Sequence, residues 1–169
     1  VFDLDPAPDV PWPAVVAATR DVKQRLDALG LTSFLKTTGG KGMHVVVPLA
    51  PVVPWDIAKP CAKALADRMA ADDPQRYIAT MSKAARTGKV FIDYLRNQHG
   101  ATAVAAFSTR ARPGAPVSTP LAWSELGATI KSDRFHIDDI AARRRDVWRG
   151  YFDVRQTIDE AVARKLLRG

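Results

Sequence analysis

A carboxylate stands in the middle of an apolar run, Val90-Phe91-Ile92-Asp93-Tyr94-Leu95. β-Branched and aromatic residues over this length predict a strand at 89–95. An unpaired charge inside such a strand is costly to desolvate, so Asp93 requires a partner. Lys89 and Arg96 are the nearby cations that could pair with it, and Arg96, at odd spacing along the strand, is expected to point to the other face. That favours a metal ion shared with other acids.

The other acids lie at the start of the chain. Val1-Phe2-Asp3-Leu4-Asp5 alternates as a strand does, with Phe2 and Leu4 toward a core and both carboxylates on the opposite face. Two adjacent carboxylates repel one another, and a divalent cation with oxygen ligands relieves that repulsion. The alternative is a pair of surface acids at a strand end, since Asp-x-Asp is a short pattern. Pro6 closes the strand.

Between these acids the pattern is mixed. Val15, Val22, Leu26 and Leu29 form one helical stripe over 13–29, with Gly30 as the stop. Segments 33–37 and 43–48 flank a glycine-rich turn as a hairpin. A second helix is expected from about Asp56 to Ala70, burying Ile57, Cys61, Leu65 and Met69, with Pro60 near its start and Asp72-Asp73-Pro74 at its end. A further strand is expected at 102–108, a turn at Arg112–Pro116, and a late helix bearing Ile137, Ile140, Val147 and Trp148. Thr157 and Glu160 form a capping box for a last helix through Leu167. The fold class is therefore α+β, as a single domain over 1–169 with a turn-rich and helical extension at 113–169.

The hairpin turn, Thr37-Thr38-Gly39-Gly40-Lys41-Gly42-Met43-His44, suits a phosphate. Glycines let backbone N–H groups approach an anion, the Thr38 hydroxyl can donate, and Lys41 adds a point charge. It matches neither a Walker A nor a Rossmann fingerprint, and a plain hairpin turn is the alternative. Lys83, Arg86 and Lys89 precede the Asp93 strand. Arg110 and Arg112, at i, i+2 spacing on a strand end, share a face and suit a triphosphate. Arg143-Arg144-Arg145 points in three helical directions and reads as a solvated face with contact to a DNA backbone.

A net charge of +7 favours a polyanionic partner, nucleic acid first. The single cysteine, Cys61, excludes an intrachain disulfide and a cysteine-built zinc site, and suits a buried residue in a reduced compartment. No apolar run approaches the roughly 20 residues of a membrane span, and the opening acids do not resemble a signal peptide. A cytoplasmic protein is expected.

Four of these segments together resemble the archaeo-eukaryotic primase superfamily, and within it the polymerase domain of bacterial ATP-dependent DNA ligase D. They are Asp3-Leu4-Asp5-Pro6, Thr38 to His44, Val90 to Asn97, and Ser108 to Gly114, in collinear order over about residues 1–125. The resemblance implies an RRM-like sheet bearing the site, and template-directed addition of nucleotides, NTP or dNTP, to DNA 3′ ends in nonhomologous end joining. It implies that Asp3, Asp5 and Asp93 hold two Mg²⁺ or Mn²⁺ ions, that Thr38, Gly39, Gly40, Lys41 and His44 bind nucleotide, and that Arg110 and Arg112 contact the triphosphate, with Arg86 a weaker match. Implied partners are DNA ends, ligase and nuclease domains of the same polypeptide, and the bacterial Ku end-binding protein, at the nucleoid. In the family the first acidic motif follows an N-terminal module with further DNA and nucleotide contacts, which this chain lacks. Activity is expected to depend on it. Two alternatives stand beside this reading. One is a haloacid-dehalogenase-like phosphatase using Asp3, which would need Gly and Thr where Pro6 and Ala7 stand; the other is a non-catalytic nucleic-acid-binding remnant.

Overall fold

The structure, a computed structural model, describes residues 1–143 and 147–167. Its chain order is β1 (Phe2–Pro6), α1 (Trp12–Ala28), β2 (Phe34–Thr37), β3 (Met43–Val46), α2 (Trp55–Asp72), β4 (Tyr77–Ile78), β5 (Val90–Asp93), β6 (Pro120–Leu121), α3 (Ile137–Ala142) and α4 (Glu160–Leu167). The sheet order is β4-β5-β1-β3-β2-β6. Every pairing is antiparallel except β4 with β5. Without the short edge strands β4 and β6 this is a βαββαβ unit with β1 and β3 in the middle, the RRM-like, ferredoxin-like arrangement.

Alternation in the strands divides the sheet into two faces. Phe2, Leu4, Leu35, Met43, Val45, Val90 and Ile92 join one core with Val15, Val22 and Leu26 of α1 and Cys61, Leu65 and Met69 of α2. α1 starts behind Pro11 with a proline in its first turn, where no N–H partner is lost, and ends before Gly30 at φ 75°. Pro60 sits inside α2 rather than near its start. The first turn of α2 projects past the core, so Ile57, expected to be buried, is 41% exposed beside Trp55 at 55%.

Other expectations are corrected toward the C-terminus. No strand forms over 102–108; only an isolated bridge joins Thr109 to Val117. Its alanines favour strand weakly, and Phe107 adopts φ 65°, which breaks an extended run. β6 joins the edge of the sheet against β2, and Leu126, Phe135 and Leu166 enter the core. α3 ends at Ala142, while Val147 and Trp148 lie in a turn from which the Trp148 indole donates to Leu35 O at 2.8 Å. α4 is capped by Asp159, whose Oδ1 accepts from Val162 N at 2.8 Å, not by Thr157. Arg143 is no solvated residue. It donates to Glu125 at 2.7 Å and to Pro120 O at 2.9 Å, and lies over the Phe135 ring. Arg144 and Arg145 lie outside the described residues.

Candidate active site

The strand register aligns a row of polar side chains on the face away from the core. Asp3 lies directly across from Asp93 on β5 and from His44 on β3, and His44 lies across from Lys36 on β2. Asp5, two residues along β1, shares that face. The three aspartates are thus brought to neighbouring positions on one face of the sheet. Each carboxylate has a different basic partner. Asp3 Oδ1 lies 3.3 Å from His44 Nε2, Asp5 Oδ2 accepts from Arg86 Nη1 at 3.0 Å, and Asp93 Oδ2 lies 3.3 Å from Arg96 Nη2. Among the described residues no three acidic, histidine or cysteine side chains are gathered into a ready-made metal cage.

Asp93 is 5% exposed, and burial raises its carboxyl above the usual range despite the Leu95 N–H donated at 2.7 Å and the charge of Arg96. The Arg96 contact departs from the strand-register expectation. β5 ends at Asp93, and the turn closed by Asn97 N to Tyr94 O brings Arg96 back to the carboxylate. His44 is buried, and desolvation lowers its pKa, opposed by Asp3, so the ring is neutral near pH 7. Its Nδ1 has no hydrogen-bond partner among the described residues.

Thr38, Gly40, Lys41, Arg110 and Arg112 converge with Asp3, Asp5, His44 and Arg96 on one polar cleft of about 330 Å³. Asp93 and Arg86 line an adjoining cleft with Phe91, and Asp5, Arg96 and Thr102 border both. Arg86 packs 3.9 Å from the Phe91 ring centre. The glycine loop is built tightly. A Cβ on Gly42 would meet Leu4 O at 1.7 Å, and one on Gly39, at φ 63°, would meet Arg110 Cγ at 2.8 Å. The Thr38 hydroxyl, expected to donate to a ligand, instead donates to Gly42 O at 3.0 Å, accepts from Gly40 N and meets Ser132 Oγ at 2.9 Å. Arg110 and Arg112 lie on a turn rather than a strand end, and Arg110 Nη1 donates to Thr38 O at 2.9 Å.

Two residues escaped the sequence reading. Ser132 fixes the loop from the C-terminal part, its carbonyl accepting from Gly39 N and its hydroxyl bonded to Gly42 O. Lys36, at the β2 end of the polar row, is 4% exposed, and burial lowers its pKa to about 8. A charge in the apolar run Phe34-Leu35-Lys36 is the same signal that singled out Asp93. Nothing local marks Ser132.

Comparison with known proteins is consistent across sequence and structure. Residues 1–148 match the family model described as the LigD primase-polymerase domain. The multifunctional non-homologous end joining protein LigD of Pseudomonas aeruginosa is 42% identical over 174 residues, an alignment covering 100% of this chain and 21% of that protein. The bifunctional LigD of Bacillus subtilis is 28% identical over 154 residues, covering 90% of this chain and 25% of that protein. The chain therefore spans about a fifth to a quarter of the length of these relatives. Among solved structures, the polymerase domain of Mycobacterium tuberculosis Ligase D in complex with DNA superposes with a TM-score of 0.77 at 30% identity, over 99% of this chain and 54% of that one. These matches leave the phosphatase alternative without support.

Proposed function

The chain belongs to the LigD primase-polymerase domain family, and from that premise we propose that it carries the catalytic face for templated nucleotidyl transfer to DNA 3′ ends in nonhomologous end joining. The observation that carries the reading is the register pairing of Asp3 with Asp93 beside a cleft lined by Lys41, Arg110 and Arg112. DNA ends are the macromolecular substrate, in keeping with the DNA complex of the mycobacterial relative, and NTP or dNTP the small one. Ligase and nuclease domains of the same polypeptide and bacterial Ku are its proposed partners, at the nucleoid. Among the described residues no helix is long and apolar enough to cross a membrane.

The donor chemistry fits a hard divalent cation. Asp3, Asp5 and Asp93 offer carboxylate oxygens from one sheet face, and Asp93 is a buried carboxyl whose charged form a cation would favour. Bound there, Mg²⁺ or Mn²⁺ would supply Lewis acidity toward the primer hydroxyl and the triphosphate. The protein groups do the rest. Neutral His44 has Nε2 on Asp3 and so orients that carboxylate. Gly39 and Gly40 let the loop lie close under Arg110 and Arg112. Lys41, Arg110 and Arg112 direct positive charge into the cleft, where a triphosphate gains the most from it.

The test is primer extension with Mn²⁺ by the full-length protein carrying Asp3→Ala or Asp93→Ala. A loss of at least about 100-fold is expected, on the scale of removing a transition-state contact. Extension at the wild-type rate by either variant refutes the assignment, and unchanged Mn²⁺ affinity by calorimetry refutes the metal role.

A further inference from the structure

The segment 104–118 crosses the open face without helix or strand, and it carries Arg110 and Arg112 on its turn. Lys36 touches both of its ends. Nζ donates at 2.9 Å to Val104 O, where the segment begins, and at 2.9 Å to Ser118 Oγ, where it returns. Ser118 Oγ in turn donates to Thr37 O at 2.8 Å, so the return point is pinned to β2 twice. Both acceptors are neutral, and among the described residues no carboxylate forms an ion pair with this ammonium. Burying an unpaired cation is costly, and an apolar side chain would fill the same space without that cost.

We propose that Lys36 is a positioning residue, a clamp that fixes segment 104–118 so that Arg110 and Arg112 face the cleft beside Asp3 and Asp5. The inference rests on the nucleotide-binding reading of that cleft. Arg110 is sensitive to any slack. Its side chain runs across Gly39 with no room for a single added carbon, and its Nη1 reaches Thr38 O. Inside the segment, Phe107 N donates to Ser118 O and Arg110 N to Pro116 O, so a freed Ser118 end carries the turn with it. Lys36 does not line the cleft and acts through the arginines.

The experiment compares Lys36→Met with the unsubstituted full-length protein in two measurements. Affinity for a fluorescent ATP analogue with Mn²⁺ is expected to fall about tenfold in K36M, and only about threefold when K36M is added to Arg110→Ala, which leaves Arg112 alone for the clamp to position, because residues acting in series are not additive. Amide hydrogen exchange over 104–118 is expected to quicken about tenfold while exchange in β1 and β5 is unchanged. Equal losses in the wild-type and R110A backgrounds, or unchanged exchange with unchanged affinity, overturn the clamp. Should K36M fail to fold, Ser118→Ala decides: faster exchange over 104–118 and about threefold weaker binding support the clamp, and wild-type values overturn it. No nucleotide binding by the unsubstituted protein overturns the functional reading itself, whereas intact binding that K36M leaves unchanged overturns only this inference.

Discussion

Gly42→Ala is the sharpest test of how the site is built. A Cβ at this position would lie 1.7 Å from Leu4 O, 2.9 Å from Leu4 C and 3.2 Å from Pro6 Cδ, so reaching the 3.4 Å of ordinary contact requires a retreat of about 1.7 Å. The obstacle is backbone of β1, which is paired on both edges, with β3 and with β5, and has nowhere to go. The loop must yield, loosening the Leu4–Met43 pairing and the Thr38 and Ser132 bonds to Gly42 O. Overpacking of this kind costs about 1–3 kcal/mol and a lost hydrogen bond about 1 kcal/mol more. Against this stands a gain of roughly 0.4–1 kcal/mol from the stiffer unfolded chain. A net loss of about 1–3.6 kcal/mol lowers Tm by roughly 2–14 °C for a domain of this size. Gly127→Ala is the control, since nothing lies within 4 Å of its Cβ position and its φ is ordinary; it should change stability by no more than about 0.5 kcal/mol. Thermal unfolding by circular dichroism, with wild type and both variants in one buffer, gives the comparison. A Gly42→Ala midpoint within about 2 °C of wild type would show that the loop is not seated on β1 as described.

Arg143→Ala breaks the contacts to Glu125 and Pro120 O in a part-buried setting and should cost about 2–4 kcal/mol in denaturant unfolding. The salt dependence of DNA binding should stay unchanged, whereas a slope reduced by about one unit would make Arg143 a phosphate contact after all. Lys36 supplies a pH signature. Its folded pKa of about 8 lies below the unfolded 10.5, so the native state holds fewer protons between these values and stability rises as pH increases from 8 to 10.5. The gain, at most about 3 kcal/mol, should be absent from Lys36→Met; identical pH profiles for the two proteins would refute the burial of a charged lysine.

The parts of the fold that were legible in sequence are those where a single period or a glycine left little choice. Phe2 and Leu4 alternate with Asp3 and Asp5, the stripe of α1 runs from Val15 to Leu26, and three glycines mark the hairpin. What escaped depended on tertiary partners. The strands β4 and β6 have two residues each and exist because β5 and β2 offer edges to pair with. Segment 102–108 looked extended by composition, yet Val104 O is taken by a lysine from another strand. The aspartates could be found one by one, but their juxtaposition is a fact of register, and Arg86 and Arg96, both noted in the sequence, revealed their pairing with Asp5 and Asp93 only in three dimensions. Thr38 was chosen for its hydroxyl, and that hydroxyl shapes the loop from within.

The polar row has one further consequence, for biosynthesis. β1 leaves the ribosome before either of the strands it pairs with, since β3 begins at residue 43 and β5 at residue 90. Until then β1 lacks its pairing with β3 and β5, and closing the long loop from residue 3 to residue 93 is entropically slow. Synthesis must pass α2 before the face that bears Asp3 and Asp93 can exist at all. The proposed site is thereby withheld until the whole βαββαβ unit has been made, and a chain cut short before β5 would carry Asp3 and Asp5 without Asp93 across from them.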